Sequence, residues 1–146
     1  MKFNISISIF FLIAVSSCTS YKPNDGLYDI TIFATNDLHG KFFPNDYVDS
    51  TPVKHSLASA ATIIMEERER RGKESVILLD NGDHLQGDNS VFYFNYIDTT
   101  STHLFSEIVS WLEYDAVTVG NHDIEAGHKV YDKLYNVFDG VSLKQN

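Results

Sequence analysis

The chain has 146 residues, with 11 Lys plus Arg against 20 Asp plus Glu and a formal charge of −9. At 43% hydrophobic and 21% charged residues it is composed like a globular protein and is too apolar for a disordered one. An acidic chain without a Lys/Arg block is ill-suited to nucleic-acid binding, and a single cysteine excludes both a disulfide framework and a Cys-rich zinc site.

The N-terminus reads as an address. Lys2 precedes an apolar stretch, Ile5 to Val15, interrupted only by Ser6 and Ser8. That stretch has the length of a secretory h-region and falls short of the roughly 20 residues that span a bilayer. Val15-Ser16-Ser17-Cys18 resembles a bacterial lipoprotein signal, in which small residues precede a cysteine that is lipidated and becomes the new N-terminus. An ordinary cleaved signal with a chance cysteine is the alternative. The expected division is a lipoprotein signal peptide over 1–17, a polar tether over 18–27 with Pro23 and the turn Asn24-Asp25-Gly26, and a folded part over 28–146. Lipid on Cys18 would hold the protein in the bacterial cell envelope, periplasmic or surface-exposed, attached to a membrane without spanning it.

Asp29 to Thr35 is rich in β-formers and reads as an inner strand, ending in the polar turn Asn36-Asp37-Leu38-His39-Gly40. Beyond Pro44 and Pro52, a helix is predicted from about Lys54 to Arg71, with Leu57, Ala60, Ala61, Ile64 and Met65 on one face. Glu66 with Arg70 and Glu67 with Arg71 make i,i+4 pairs. Arg68, Arg70 and Arg71 read as a solvated face at the helix's negative end, and Gly72 stops it. Ser75 to Asp80 is a second buried strand, followed by Asn81-Gly82-Asp83. A second helix is predicted over Thr102–Glu113, with Leu104, Ile108, Trp111 and Leu112 on one face and Ser101 or Thr102 as cap. Ala116 to Val119 is a third strand, leading into Gly120-Asn121-His122-Asp123. A third helix carries Val130, Leu134, Val137 and Phe138, with Gly140 behind it. This βαβαβα order predicts an α/β fold with mainly parallel strands and right-handed crossovers.

In such sheets functional groups gather past the carboxyl ends of strands, where all three polar motifs fall. Each motif alone could be a turn or a helix cap. Three strands placing Asp, His, Asp, Asn and His at one sheet edge ask for a common chemistry. Two divalent cations about 3.5–4 Å apart need a shared carboxylate between them. Asp37 and His39 can grip one ion, Asp83 is suited to bridge, and the Asn121 amide oxygen can bind the second without adding charge. His122 then stands beside the ions as a proton donor. Mixed nitrogen and oxygen ligation fits Mn, Zn, Fe or Co. Among the neighbours, Asp80 reads as ordering its strand end, and Asn36 and Gln86 as orienting groups. His84 reads as an exposed loop histidine, His55, His103 and His128 as surface, and Phe92 to Tyr96 as packing.

D-x-H (Asp37, His39), G-D (Gly82, Asp83) and G-N-H-D (Gly120 to Asp123) resemble the opening motifs of the calcineurin-like metallophosphoesterases. The text around them, Ile32 to Gly40, Leu79 to Gly87 and Val119 to Glu125, resembles the bacterial 5′-nucleotidase/2′,3′-cyclic-nucleotide 2′-phosphodiesterase branch. The resemblance implies Asp37, His39, Asp83 and Asn121 as metal ligands, and His122 as the catalytic histidine oriented by Glu125, where the family shows Asp. It implies two divalent ions and in-line attack of an activated water on a nucleotide or another small phosphate ester. The family's two later histidine-bearing segments have no counterpart before Asn146. The expected fold is therefore a partial metallophosphoesterase, stopping before the second half of the sheet sandwich. A lipid-anchored, non-catalytic remnant of such an enzyme is the alternative.

Overall fold

The computed structural model describes residues 25–136 and 141–143, with side chains as far as Leu134. The leader with Cys18, the start of the tether, and Val137, Phe138 and Gly140 lie outside these residues.

Four parallel strands, β1 (Thr31–Thr35), β2 (Val76–Asp80), β3 (Ala116–Thr118) and β4 (Val141–Leu143), lie in the order β1-β2-β3-β4. The fourth strand goes beyond the sequence expectation; three residues are too few for an alternation to register. The helices are α1 (Leu57–Arg71), α2 (Asn89–Phe92, continued by a π turn over Tyr93–Ile97), α3 (Leu104–Leu112) and α4 (His128–Asn136). A parallel sheet that grows strand by strand in one direction, through right-handed crossovers, carries its helices on a single face. Register and burial agree. Thr31, Phe33 and Thr35 pair with Val76, Leu78 and Asp80, and those three β2 residues are buried. Leu78, with Phe33 beside it, shares one core with Leu57 and Ile64 of α1, Phe105, Val109 and Leu112 of α3, and Leu134 of α4. Burying side chains of this size contributes about 1.5–3 kcal/mol each. The opposite face carries Ile32, Ala34, Ile77, Leu79 and Ala116. Ile32, at the β1 edge, is 62% exposed. Among the described residues, one face of the sheet is covered and the other is open.

Several local expectations are corrected. On α3 the buried residues are Phe105, Ser106, Val109 and Leu112, while Leu104 and Ile108 flank the core and Trp111 is exposed. The buried stripe is turned by about one residue, with Phe105 stacked between Phe42 and His84. His103 caps it, its Nδ1 accepting the Phe105 N–H at 3.1 Å, while Ser101 donates its N–H to Asp98 in the preceding turn. On α1, Ser56 is the cap and Met65 is exposed. Arg71 pairs with Glu67 as expected, at 2.7 Å, but Arg70 turns to Glu67 and not to Glu66. Arg68 is no solvated residue: its guanidinium donates to the Leu112 and Glu113 carbonyls, satisfying the C-terminal end of α3. The aromatic run is less packed than expected, with Phe92, Tyr93 and Tyr96 about half exposed and Asn95 the buried member.

Candidate metal centre at the strand ends

Thr35 and Asp80 face each other in register, so the loops after β1 and β2 leave the sheet side by side. They are stitched by backbone bonds: Asn81 N–H to Thr35 O at 2.9 Å, Asp37 N–H to Gly82 O at 3.1 Å, and His39 N–H to Asp83 O at 3.0 Å. Asp37, His39 and Asp83 all adopt left-handed backbone, with φ of 51°, 46° and 64°. Non-glycine residues adopt it at a cost, and these cross-loop bonds hold them there. The loop after β3 comes closer still. A Cβ on Gly82 would lie 2.3 Å from the Gly120 nitrogen, and one on Gly120 would lie 2.2 Å from Asp83 Oδ1. Both motif glycines are required by this backbone approach.

The strand ends carry two layers of polar groups. The inner layer is buried. Asp123 accepts four backbone N–H groups, from Asp83 (2.9 Å), His84 (2.7 Å), Leu85 (2.9 Å) and Gly120 (2.8 Å), and so welds the β2 and β3 loops together. Burial would raise its pKa, but the His84 ring and these backbone donors outweigh burial and hold it below the usual carboxylate range. Asp80 orders its strand end as expected, accepting from Gly82 N–H at 2.8 Å and from the Thr35 hydroxyl. His84 and His103 are corrections: both are fully buried. His84 Nε2 bonds Asp80 Oδ1, and its ring stacks on Phe105 at 3.9 Å. His103 is wedged between the Phe105 N–H and Asn95 Oδ1. Burial first, then the charge of Lys133, lowers its pKa to about 4. Sequence reasoning missed the work of Asp123; three of its four donors come from the β2 loop, 38 to 40 residues away, which leaves no local signal.

The outer layer holds the residues singled out from the sequence. His39 Nδ1 lies 3.1 Å from the Gln86 carbonyl oxygen. A carbonyl only accepts, so Nδ1 carries the hydrogen and the lone pair of the neutral ring sits on Nε2. That nitrogen faces Asp37 Oδ1 at 3.8 Å, wide enough for one ion bound at about 2 Å from each. A ligating histidine whose other nitrogen donates to a carbonyl is the usual supporting arrangement in metal sites. Asn36 holds the other Asp37 oxygen. Asp83 Oδ1 accepts the His122 N–H at 2.8 Å, and the His39 and His122 rings meet edge to face at 5.4 Å. Asp37, His39, Asp83 and His122 are thus neighbours. Asn121 is exposed on the same loop. His122 Nδ1 meets Glu125 Oε1 at 3.0 Å, and Glu125 Oε2 accepts from Gln86 Nε2 at 2.8 Å. The oxygen and imidazole donors suit a hard or borderline divalent cation, but among the described residues no three His, Cys, Asp or Glu side chains group around one point. His55 and His128 are exposed as expected. A cavity of about 390 Å³ between the π turn and α4, lined by Phe94, Tyr96, Thr99, Lys129 and Lys133, includes none of the outer-layer side chains.

A one-faced parallel sheet whose first three strands exit into D-x-H, G-D and G-N-H loops defines a calcineurin-like phosphoesterase, and the chain belongs to that class. No family model matches the sequence. Its relatives are particular. It is 33% identical over 105 residues to the trifunctional nucleotide phosphoesterase YfkN of Bacillus subtilis, covering 67% of this chain and 7% of that one. It is 30% identical to human 5′-nucleotidase (72% and 18%) and 28% identical to the 2′,3′-cyclic-nucleotide 2′-phosphodiesterase/3′-nucleotidase of Salmonella typhimurium (82% and 18%). The crystal structure of the calcineurin-like phosphoesterase YfkN superposes with a TM-score of 0.67 at 30% identity, over 78% of this chain and 36% of that one. The chain thus spans a small part of the length of the relatives it matches.

Proposed function

We propose that the protein to which this chain belongs hydrolyses phosphate esters of nucleotides, as a monoesterase or a cyclic-nucleotide phosphodiesterase, with two divalent ions (Mn, Zn, Fe or Co) at the strand ends. The observation that carries this reading is the His39–Asp37 pair, its free Nε2 and carboxylate oxygen 3.8 Å apart beside Asp83 and His122, in a chain related to nucleotide phosphoesterases. When bound, such ions supply Lewis acidity and a water of lowered pKa. In this reading Asp37, His39, Asp83 and the Asn121 amide oxygen would hold the ions, Asp37 and His39 serving one, Asn121 the other, and Asp83 suited to serve both. Glu125 accepts from His122 Nδ1 and would steady the doubly protonated ring, whose Nε2–H could then pass its proton to the leaving oxygen and leave the neutral Nδ1–H tautomer behind. The protein would sit in the bacterial cell envelope through lipid on Cys18, with 1–17 removed and 18–27 as tether. The −9 charge argues against nucleic acid as a partner. No helix among the described residues is long and apolar enough to cross a membrane.

The test is hydrolysis of a nucleoside 5′-monophosphate and a 2′,3′-cyclic nucleotide by purified protein with Mn²⁺, before and after chelation. Activity is expected to require metal and to vanish in Asp83→Asn. Metal-independent turnover, or near-normal turnover by that variant, contradicts the reading. A second reading, a membrane-tethered remnant with weak metal binding and no turnover, is favoured by the absence of a third grouped donor among the described residues.

A further inference from the structure

Gln86 stands between the two histidines of the outer layer and reaches each by a different part of itself, His39 directly and His122 through Glu125. Its main-chain carbonyl accepts from His39 Nδ1 at 3.1 Å. Its side-chain amide donates to Glu125 Oε2 at 2.8 Å, and the other oxygen of that carboxylate meets His122 Nδ1 at 3.0 Å. The loop is anchored where this matters: the Leu85 N–H is held by Asp123, the Leu85 carbonyl accepts from Asn95 Nδ2 at 2.6 Å, and the Asp88 N–H bonds the His39 carbonyl at 2.9 Å. Gln86 is therefore carried on fixed backbone, although its own side chain is exposed. A carboxylate has several acceptor positions and free rotation, so Glu125 alone would leave the His122 ring loosely aimed. An amide donor on the far oxygen fixes the carboxylate plane and presents the near oxygen to Nδ1.

We propose that Gln86 is a positioning residue that serves the two histidines separately: the backbone carbonyl sets the tautomer of His39, and the side-chain amide, through Glu125, sets the tautomer and aim of His122. This rests on the reading of His122 as proton donor for its catalytic consequence, but not for its structural one. If His122 protonates the leaving oxygen, a loosely aimed ring slows substrates with a poor leaving group, such as a nucleoside alkoxide. It leaves an activated ester such as p-nitrophenyl phosphate nearly untouched, since that leaving group departs without a proton.

The experiment uses Gln86→Glu, close in shape but without the amide donor, and Gln86→Ala. Histidine ¹⁵N chemical shifts are recorded on the metal-free protein at pH 8, beside rates on both substrate types. Both variants are expected to keep the Nδ1–H tautomer of His39 and to shift His122 toward a mixture of tautomers. Where the wild type turns over, kcat for the nucleoside monophosphate falls roughly tenfold, while kcat for the activated ester stays within about twofold. An unchanged His122 tautomer overturns the proposal, as does His39 moving together with His122, which would mean general loosening of the loop. A wild type that hydrolyses neither ester while the spectra change as expected sinks the phosphoesterase reading and leaves the positioning role standing.

Discussion

The inner and outer layers at the strand ends are built from the same residue types, often from adjacent residues, and they do opposite things. Asp83 and His84 are neighbours in sequence, as are His122 and Asp123. One of each pair is buried and bound into the fold, and the other faces outward. Asp123 has its lone pairs filled by four backbone N–H groups, whereas Asp37 sits half-exposed and, among the described residues, has Asn36 on one oxygen and His39 at 3.8 Å from the other. What separates structural from chemical residues here is partner count. A carboxylate or imidazole whose hydrogen-bonding capacity is used by backbone stabilises the fold, and one with capacity left over can meet a ligand.

Substitutions that cross this division sharpen it. Asp123→Ala, which strands four donors around a buried space, is expected to cost about 4 kcal/mol or more in urea unfolding. A loss under about 1 kcal/mol would dissolve the distinction between the layers. Gly82→Ala comes next, at roughly 2–4 kcal/mol, because a Cβ there collides with backbone at Gly120 and the residue has a φ of 95°. His103 provides a pH signature of the inner layer. Its folded pKa, about 4, lies below its unfolded value of 6.5, so the unfolded chain binds the extra proton between them. Stability contributed by neutral His103 is complete above pH 6.5 and is lost as pH falls toward 4. Unfolding at pH 7 and pH 4.5 should differ by about 2–3 kcal/mol from this group. Asp123 and Asp98, whose pKa values are lowered, add their losses only as pH drops further. A flat profile over pH 4.5–7 would show that His103 is not buried neutral. The smallest stability effects belong to the outer layer: Asp37→Asn and His122→Ala are expected to stay within about 1 kcal/mol of the wild type.

The strand–helix order and the polar exits of β1, β2 and β3 were legible in the sequence because hydrophobic runs and periodic faces report burial directly. Leu57, Ala61 and Ile64 fall on the buried face of α1 as their spacing implies. What was not legible depends on contacts distant in sequence. Trp111 reads as core, but the face of α3 that is buried carries Phe105, Val109 and Leu112, and Phe105 stacks on Phe42 and His84, both distant in sequence. His84 and His103 read as exposed because histidine usually is; Asp80, Asn95 and the ring of Phe105, brought in by the fold, make their burial tolerable. Arg68 reads as solvated since nothing local reveals that the end of α3 arrives beside it. The left-handed backbone of Asp37, His39 and Asp83 was equally hidden, being held by bonds between loops about 45 residues apart.

The most direct test is paramagnetic: titrate Mn²⁺ into the protein and follow line broadening of the histidine side-chain resonances. Seats at the outer layer predict early and strong broadening of His39 and His122, weaker broadening of His84 and His103, and loss of the effect at His39 in Asp37→Asn. Broadening spread evenly over all six histidines, or confined to exposed His55 and His128, would contradict a metal centre at these strand ends.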